Sequence, residues 1–272
     1  MTAYTIDQII SARTFLFVPG DRPDRFAKAA AAGPDIVIID LEDAVAPSAK
    51  NAARDHTLRW LADGNPAMVR INGTDTEWHR DDVAALADFP SAAVMLPKTE
   101  RLDQVTNLSA AIVVALVETA AGIAAAAAVG SLPGVHRLAF GSIDLAAQLG
   151  VDPADREALL VARSAVVLAS AQAGLPPPID GVTTDVANPE STVADMRHAR
   201  SLGMAAKLCI HPNQVAAVHQ ALAPTPDEIT WAQAIVGATD SASGAVSVDG
   251  QMVDLPVLAR ARNILATTTI RS

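Results

Sequence analysis

The sequence predicts an α/β protein that folds as a (β/α)8 TIM barrel with a C-terminal helical extension. Eight short apolar runs rich in β-branched residues recur over residues 14–212, and Ala-rich stretches with helical spacing separate them. The runs are continuous rather than alternating, which is typical of parallel strands buried on both faces. A doubly wound open sheet is the main rival, but no G-x-G-x-x-G turn follows an early strand. The barrel is therefore favoured.

The eight predicted strands follow one another at intervals of one strand–helix unit. In chain order they are Thr14–Gly20, Asp35–Asp43, Ala67–Gly73, Ala92–Lys98, Ile112–Thr119, Arg137–Asp144, Pro177–Asp185 and Ala206–Pro212. Helices are predicted between them, among them Phe26–Ala32, Ala120–Val129, Arg156–Ala173 and Ser191–Leu202, and the last barrel helix is Asn213–Leu222.

The pattern changes after the last barrel helix. We assign residues 1–222 to the barrel and residues 223–272 to the extension. The extension is predicted to hold a helix at Thr225–Val236, a loop of small residues, and a final helix from about Leu255 to Leu265. It covers one end of its own barrel or packs on a neighbouring subunit.

Composition excludes several classes of protein. The formal net charge of −10 disfavours nucleic acid as a partner, because an acidic surface repels phosphate backbones. The single cysteine, Cys209, excludes an internal disulfide framework and a multi-cysteine zinc site. The most apolar stretch, Ala111–Gly130, contains Glu118, which is costly in a bilayer, and the N-terminus has no signal-peptide pattern. We expect a cytoplasmic protein without a membrane partner.

Ionisable residues stand at the ends of most predicted strands. In a barrel, the carboxyl ends of the strands converge on one mouth, where active sites form. An apolar strand that finishes in charged residues therefore indicates a site. The residues at these ends are Asp40, Glu42, Asp43, Arg70, Lys98, Glu118, Asp144, Asp180 and His211.

Glu118 and Asp144 are lone carboxylates at the ends of neighbouring strands. Carboxylates this close repel each other unless a cation lies between them. Oxygen ligands without cysteine or a histidine pair favour Mg²⁺ or Mn²⁺, with water and substrate completing the coordination. The alternative is that each carboxylate caps a helix or forms a salt bridge.

Three other residues have two interpretations each. Arg70 either clamps a substrate carboxylate or enolate oxygen, or forms an internal ion pair with Glu42 or Asp43. His211 is the one histidine at a strand end, and a lone histidine is more often structural than catalytic. Lys98 is either a Schiff-base lysine or a member of a solvated ion pair.

The motifs resemble those of the citrate lyase beta-subunit-like proteins, which belong with the malyl-CoA and citramalyl-CoA lyases and related aldolases. The resemblance runs from about Arg13 to Leu265. The matching runs, in order, are FLFVPGDRPDRFAKA, VIIDLEDAVAPSAKNAAR, VRINGTDTEWHRDD, VMLPKTE, LVETAAGI, FGSIDLAAQLG, PPIDGVTTD, CIHPNQ and DGQMVDLPVLARA.

The resemblance implies a barrel that binds Mg²⁺ through Glu118 and Asp144, while Arg70 holds the oxygens of the substrate. It implies that Glu42 and Asp43 bind water molecules of the metal or support its ligands. A further motif, M-V-D-x-P, makes Asp254 a catalytic acid/base that relatives deliver from a neighbouring subunit, in a trimer or hexamer.

The resemblance also implies a binding path for coenzyme A. The basic residues Lys28, Lys50 and Arg54 are similar to those that meet the CoA phosphates, and Ile210 and His211 would line the path of the thioester and pantetheine. One position departs from the family: many relatives have Glu immediately before the metal-binding Asp, where this chain has Ile143. The metal ligands stay intact, but the choice of substrate could differ.

The expected reaction is reversible, Mg-dependent carbon–carbon cleavage of a 3-hydroxyacyl-CoA to acetyl-CoA and a 2-oxo acid. Malyl-, citramalyl- and 3-hydroxy-3-methylglutaryl-CoA are the expected substrate types. One alternative is a citrate lyase beta subunit that acts on a citryl thioester with separate carrier and transferase subunits. The other is a non-catalytic CoA-binding barrel.

Overall fold

Eight parallel strands close into a barrel in chain order in the computed structural model, which describes residues 3–108, 110–240, 246–248 and 251–269. Each strand pairs with the next, and the last pairs with the first. The predicted barrel is confirmed. The strands are β1 (Thr14–Pro19), β2 (Ile36–Asp40), β3 (Met68–Arg70), β4 (Ala93–Leu96), β5 (Val113–Val117), β6 (Val135–Phe140), β7 (Ile179–Asp180) and β8 (Ala206–Cys209).

Helices follow the strands around the outside. Among the described residues, no helix combines the length and the apolar character needed to span a bilayer. The helices of the barrel are α1 (Ile6–Ser11), α2 (Phe26–Ala31), α3 (Lys50–Ala62), α4 (His79–Leu86), α5 (Leu102–Thr106), α6 (Ala120–Gly130), α7 (Ser142–Leu149), α8 (Leu160–Gln172), α9 (Pro189–Ser201) and α10 (Asn213–Leu222).

All eight strands end earlier than the sequence predicts, and the sixth and seventh differ most. The sixth strand stops at Phe140, and Asp144 lies in the first turn of α7 instead of at a strand end. Helix α7 begins directly after Gly141, because this residue takes the extended N-cap conformation. The seventh strand is only two residues long, since the segment after Asp180 leaves the sheet.

The barrel interior is filled by apolar side chains that alternate along the strands. They belong to one core cluster, which also contains two residues of the N-terminal segment, Ile9 and Ala12. Arg137 is buried beside them and donates hydrogen bonds to the backbone oxygens of both. The N-terminal segment is thus fixed to β6. The inward-facing core residues include Phe15, Ile36, Ile38, Met68, Met95, Val114, Leu116, Ala139, Ile179 and Leu208.

The chain divides into two contact units, Met1–Ala221 and Leu222–Ser272. The second unit contains α11 (Pro226–Asp240), the antiparallel strands β9 (Val246–Val248) and β10 (Gln251–Val253), and α12 (Leu255–Thr269). The sequence predicts a loop where β9 lies. The valines of this segment favour strand pairing, and the loop prediction is therefore wrong at these positions.

Candidate active site

Three strand-end residues continue the inward face of the barrel. Asp40, Arg70 and Glu118 each lie two residues beyond an inward-facing core residue of their own strand, so their side chains face the same way. Together with Asp43 and Asp144 they line a cavity of about 230 Å³ at the carboxyl ends of the strands. The alternation of the strands thus assembles this part of the predicted site.

Arg70 is held mainly by Asp40, which the sequence does not single out as its partner, and it also forms the ion pair with Glu42 that one of its two interpretations predicts. Its Nε and Nη2 donate to the two carboxylate oxygens of Asp40, each at 2.6 Å. Burial alone would raise the pKa of Asp40, but the charge and the hydrogen bonds of Arg70 outweigh it and lower the pKa. The two residues are paired in register on β2 and β3, which explains the bidentate fork. The guanidinium also stacks over Phe17 at 4.6 Å.

Glu42 is buried between two cations. Its Oε1 accepts a hydrogen bond from Lys98 Nζ at 2.5 Å. Its Oε2 lies 3.1 Å from Nη1 of Arg70 but has no hydrogen-bond partner. Burial, the largest effect, raises the pKa of Glu42 despite these cations. This buried oxygen therefore has a cationic neighbour but unused capacity to accept a hydrogen bond.

Lys98 contacts four carboxylates at once. Its backbone N–H donates to Glu118 Oε1 at 2.8 Å, while its ammonium reaches Glu42 and lies 3.3 Å from Asp144 Oδ2 and 3.9 Å from Asp43 Oδ1. Burial would lower the pKa of the ammonium, but the hydrogen bond to Glu42 and the surrounding carboxylates raise it. Lys98 thus forms an ion pair, as one of its two interpretations predicts.

Glu118 is buried at the end of β5 and is strongly perturbed. Burial, followed by the negative charges of Glu42 and Asp144, raises the pKa of Glu118 to about 8. A Cβ atom at Gly141 would lie only 2.3 Å from Glu118 Cβ and 2.5 Å from Oε2. Glycine at this position therefore makes room for the carboxylate, which neither caps a helix nor forms an ion pair at hydrogen-bond distance in the described residues.

The carboxylates and the two cations form one group, which we call the mouth cluster. Asp144 belongs to it through its contact with Lys98 and through its electrostatic effect on Glu118. In the described part of the chain, no three His, Cys, Asp or Glu residues are arranged to hold a metal ion by themselves. A cation would thus have two protein ligands, completed by water and substrate. The mouth cluster consists of Asp40, Glu42, Asp43, Arg70, Lys98, Glu118 and Asp144.

A metal ion fits this group on three observations. Glu118 is buried with a raised pKa, so a nearby cation would relieve the cost of its ionised form. Glu42 has an oxygen without a hydrogen-bond partner. All the donors are oxygens, which Mg²⁺ prefers.

A second cavity of about 430 Å³ leads away from the first, and the two share the lining residues Phe17 and Ile210. Lys28 and His211 line the second cavity, so the structure brings three of the residues predicted for CoA together. Arg22 and Arg25, which the sequence analysis did not select, add basic side chains to the same wall. Both lie in the turn between β1 and α2, close to Lys28 in sequence.

Lys50 and Arg54 do not join that cavity, contrary to the prediction for CoA phosphates. Lys50 is buried, and its Nζ donates to the backbone oxygens of Leu41 and Glu42, each at 2.7 Å. Arg54 Nε donates to the buried carboxylate of Asp82 at 2.7 Å. Both cations are engaged inside the protein: Lys50 supports the turn that carries Glu42, and Arg54 joins α3 to α4.

Asp180 is a further correction. The sequence places this carboxylate at the mouth with the others. Because its neighbour Ile179 faces the barrel interior, Asp180 faces outward, where it binds Arg163 of α8 and Lys207 of β8, each at 2.9 Å. Asp180 lies one residue beyond an inward-facing residue, whereas Asp40 and Glu118 lie two residues beyond one, and this spacing is the signal that distinguishes them.

Asp254 belongs to the second contact unit. It is exposed immediately before α12, and its Oδ1 accepts a hydrogen bond from the backbone N–H of Val257 at 3.0 Å. This is an N-cap contact, which uses one carboxylate oxygen. Its predicted role as acid/base stays a prediction. Ile143, which stands in place of the Glu of many relatives, is part of the wall of the first cavity.

The family of the chain follows from comparison with known proteins. The sequence profile of the HpcH/HpaI aldolase/citrate lyase family matches residues 13–212, more than half of the chain. The protein belongs to this family. The resemblance drawn from the motifs is thereby confirmed, and the chain is a member of a family of aldolase- and citrate lyase-type lyases.

Individual relatives cover nearly the whole chain. A citrate lyase subunit beta-like protein of Mycobacterium tuberculosis strain H37Rv is 40% identical over 261 residues, which are 92% of this chain and 93% of the relative. A (3S)-malyl-CoA thioesterase of Cereibacter sphaeroides strain ATCC 17025 is 33% identical over 267 residues, 93% of either chain.

The fold is also that of a solved member of the family. The crystal structure of CitE from Mycobacterium tuberculosis, in complex with magnesium, acetoacetate and coenzyme A, superposes with a TM-score of 0.87. It is 37% identical in sequence, and the match covers 95% of this chain and 98% of that chain.

Proposed function

We propose that the protein is an Mg-dependent carbon–carbon lyase that reversibly cleaves a 3-hydroxyacyl-CoA to acetyl-CoA and a 2-oxo acid. The observation that carries the proposal is the mouth cluster. Within the described residues, Glu118 and Asp144 have no cation at bonding distance other than Lys98. They stand beside the fixed guanidinium of Arg70, in a cavity that shares lining residues with a second, basic cavity. The solved relative in complex with magnesium and coenzyme A supports both ligands.

The metal would be held by Glu118 and Asp144, with Glu42 and Asp43 binding its water molecules. Mg²⁺ fits the oxygen donors, and Mn²⁺ is the alternative. Bound there, it would polarise the carbonyl of the 2-oxo acid portion as a Lewis acid.

Arg70 would bind the oxygen on which negative charge develops as the carbon–carbon bond breaks. The fork with Asp40 fixes the plane of the guanidinium, so the charge is preorganised and needs no rearrangement during the reaction. In the cleavage direction, the 3-hydroxyl group would transfer its proton to a water molecule as its oxygen becomes the carbonyl oxygen of the oxo acid. The electron pair of the broken bond then passes to the thioester carbonyl, which becomes an enolate beside Arg70.

Asp254 would transfer the proton at the acetyl carbon. In cleavage it protonates the enolate to give the methyl group of acetyl-CoA, and in condensation it removes that proton. Its Oδ2 is not used by the N-cap contact and is free for this role. We propose that it acts on its own site or on that of a neighbouring subunit, in a trimer or hexamer.

The CoA portion would occupy the second cavity. Lys28, Arg22 and Arg25 supply positive charge for phosphate groups, while Ile210 and His211 line the path toward the mouth cluster. These basic residues reverse the field locally on a protein whose formal net charge is −10.

The test is product analysis with purified protein, Mg²⁺ and a panel of thioesters. Malyl-CoA should yield acetyl-CoA and glyoxylate, and citramalyl-CoA should yield acetyl-CoA and pyruvate. 3-Hydroxy-3-methylglutaryl-CoA should yield acetyl-CoA and acetoacetate. Acetoacetate is a 3-oxo acid, so cleavage of this thioester would extend the products beyond 2-oxo acids. The absence of oxo acid from every thioester, citryl-CoA included, would contradict the proposal.

A second candidate function is hydrolysis of the thioester. The relative named (3S)-malyl-CoA thioesterase, which matches over 93% of either chain, favours it. Hydrolysis of malyl-CoA would release free CoA and malate, whereas cleavage by a lyase releases acetyl-CoA and glyoxylate. The same assay therefore separates the two candidates.

The sharing of sites between subunits has its own test. Asp254→Ala and Arg70→Ala proteins, each inactive alone, are mixed after partial unfolding and refolding. Restored activity would support an Asp254 that acts across a subunit interface, because one mixed site then carries both intact residues. Without restoration, each chain would carry a self-contained site.

A further inference from the structure

We propose that the ammonium group of Lys98 is a built-in competitor of the divalent cation. In the metal-free protein it offsets part of the negative charge of the mouth cluster, and a cation that binds Glu118 and Asp144 displaces it from Asp144. This inference rests on the metal site of the proposed function.

The contacts of Lys98 place it where a cation at these two carboxylates would act. Its backbone N–H holds Glu118, while its ammonium lies 3.3 Å from Asp144. One residue therefore contacts both proposed metal ligands. Its stronger contact is with Glu42 at 2.5 Å, so the ammonium has a second carboxylate to keep when Asp144 is taken.

The backbone of Lys98 is strained. Among the described residues it is the one non-glycine residue with a positive φ, of 46°. Such a conformation is unfavourable for a residue with a side chain and persists where the surrounding contacts fix it. In this conformation the backbone N–H of Lys98 binds Glu118 while its ammonium faces Glu42 and Asp144.

The effect of the ammonium on cation affinity follows from the charges of the mouth cluster. The mouth cluster contains five carboxylates and two cations, and Arg70 is committed to Asp40 through two hydrogen bonds. Lys98 shares Glu42 with Arg70, and its ammonium is the cation that lies nearest Asp43 and Asp144 in the mouth cluster. A divalent cation at Glu118 and Asp144 would lie close to this ammonium, and because like charges repel, the ammonium lowers the affinity for that cation.

Displacement of the ammonium has a consequence for the substrate. An ammonium released from Asp144 can bind an anionic group of the incoming acid in the same cavity. The metal and an anionic oxo acid should therefore bind cooperatively, each raising the affinity for the other.

The experiment is calorimetric titration of the substrate-free protein with Mn²⁺ and Mg²⁺. Lys98→Met removes the charge but keeps the length of the side chain, and it should bind the cation at least about tenfold more tightly than wild type. Lys98→Arg keeps the charge and should stay close to wild type. Arg101→Met is the matched control, because Arg101 is exposed, pairs with Asp103 and lies three residues away.

Equal or weaker binding by Lys98→Met would overturn the inference, because the lysine would then organise the carboxylates rather than compete for them. If wild type binds neither cation, the metal site of the proposed function fails as well. The two failures are thus distinguishable.

A measurement on wild type covers the case in which Lys98→Met does not fold. The protein is acetylated with a water-soluble ester, with and without saturating Mg²⁺, and each modified lysine is quantified by mass spectrometry. Modification of Lys98 should rise severalfold with Mg²⁺, while the rate at the exposed Lys28 stays constant. An unchanged or lower rate at Lys98 would overturn the inference.

Discussion

Two groups of charged residues lie at the carboxyl ends of the barrel strands, and they differ in balance. The mouth cluster faces the interior with five carboxylates and two cations. The second group, which we call the outer cluster, lies between the sheet and α8 and consists of Arg163, Asp180 and Lys207. Both oxygens of Asp180 accept a hydrogen bond from a cationic side chain. In the mouth cluster, Oε2 of Glu42 lies 3.1 Å from Arg70 but accepts no hydrogen bond.

The pKa values follow this difference. Burial would raise the pKa of Asp180, but Lys207 and Arg163 outweigh it and lower the pKa. In Glu118, burial and the neighbouring carboxylates act together and raise the pKa to about 8. A buried carboxylate whose charge is offset by neighbouring cations is costly to remove from the fold. A buried carboxylate without such cations is a candidate ligand for an external cation.

The largest expected effect is the loss of stability caused by Asp180→Ala. This substitution leaves Arg163 and Lys207 as buried cations without their carboxylate, so the free energy of unfolding should fall by about 3–5 kcal/mol. Urea unfolding measures the change, and Asp24→Ala, which breaks an exposed pair with Arg22, is the control. Folded Asp180→Ala protein should bind Mg²⁺ as wild type does. A lost Mg²⁺ site would contradict the separation of the two clusters.

Arg70→Lys should act on catalysis. Lysine cannot form the two-point fork with Asp40 or present a fixed plane to the enolate, so kcat should fall about 10²–10³-fold. Steady-state kinetics with the thioester that the wild type cleaves provides the measurement, with the exposed Arg101→Lys as control. A kcat equal to that of wild type would show that Arg70 only balances Asp40, as Lys207 balances Asp180.

Gly141→Ala should weaken Mg²⁺ binding by displacing the side chain of Glu118. The added methyl group would meet the Glu118 side chain at 2.3–2.5 Å, and relief of such overpacking costs about 1–3 kcal/mol. The affinity for Mg²⁺ should therefore fall about tenfold or more. Gly237→Ala is the control, since a methyl group there meets nothing within 4 Å. Unchanged affinity would mean that Glu118 can bind the cation from a different position.

Taken per pH unit, the smallest effect is a pH dependence that Mg²⁺ should remove. The pKa of Glu118 is about 8 in the folded protein, and an unfolded Glu has a pKa of about 4.3. Between these values the folded state holds a proton that the unfolded state has released. Stability of the metal-free protein should thus fall as pH rises, by at most about 1.4 kcal/mol per pH unit.

Urea unfolding at pH 5 to 8, with and without Mg²⁺, tests this dependence. A bound cation takes the place of the proton, so saturating Mg²⁺ should flatten the curve. Glu118→Gln has no titrating group at this position and should also lack the slope. If its slope equals that of wild type, another group is responsible.

The sequence predicts the barrel because its strands are continuous apolar runs, and all eight lie where expected. It singles out Glu118 and Asp144 because each follows such a run, although Asp144 lies in the first turn of α7 and not at a strand end. It does not separate Asp40 and Asp180, two strand-end aspartates that face opposite sides of the sheet, because the length of a strand and its parity are set by pairing with its neighbours.

Other misses concern long cations. Lys50 and Arg54 were assigned to a phosphate site by position, but a flexible side chain can also turn inward and bind backbone carbonyls or a buried carboxylate. Lys98 had two interpretations from the sequence. Its contact with four carboxylates depends on a left-handed backbone that no local pattern indicates.

The central claim is that Glu118 and Asp144 together hold a divalent cation in the mouth cluster. Calorimetric titration with Mg²⁺ of wild type, Glu118→Gln and Asp144→Asn tests it most directly, with circular dichroism to verify folding. We predict one site per chain in wild type and none in either folded variant. Binding at wild-type affinity in both variants would contradict the claim.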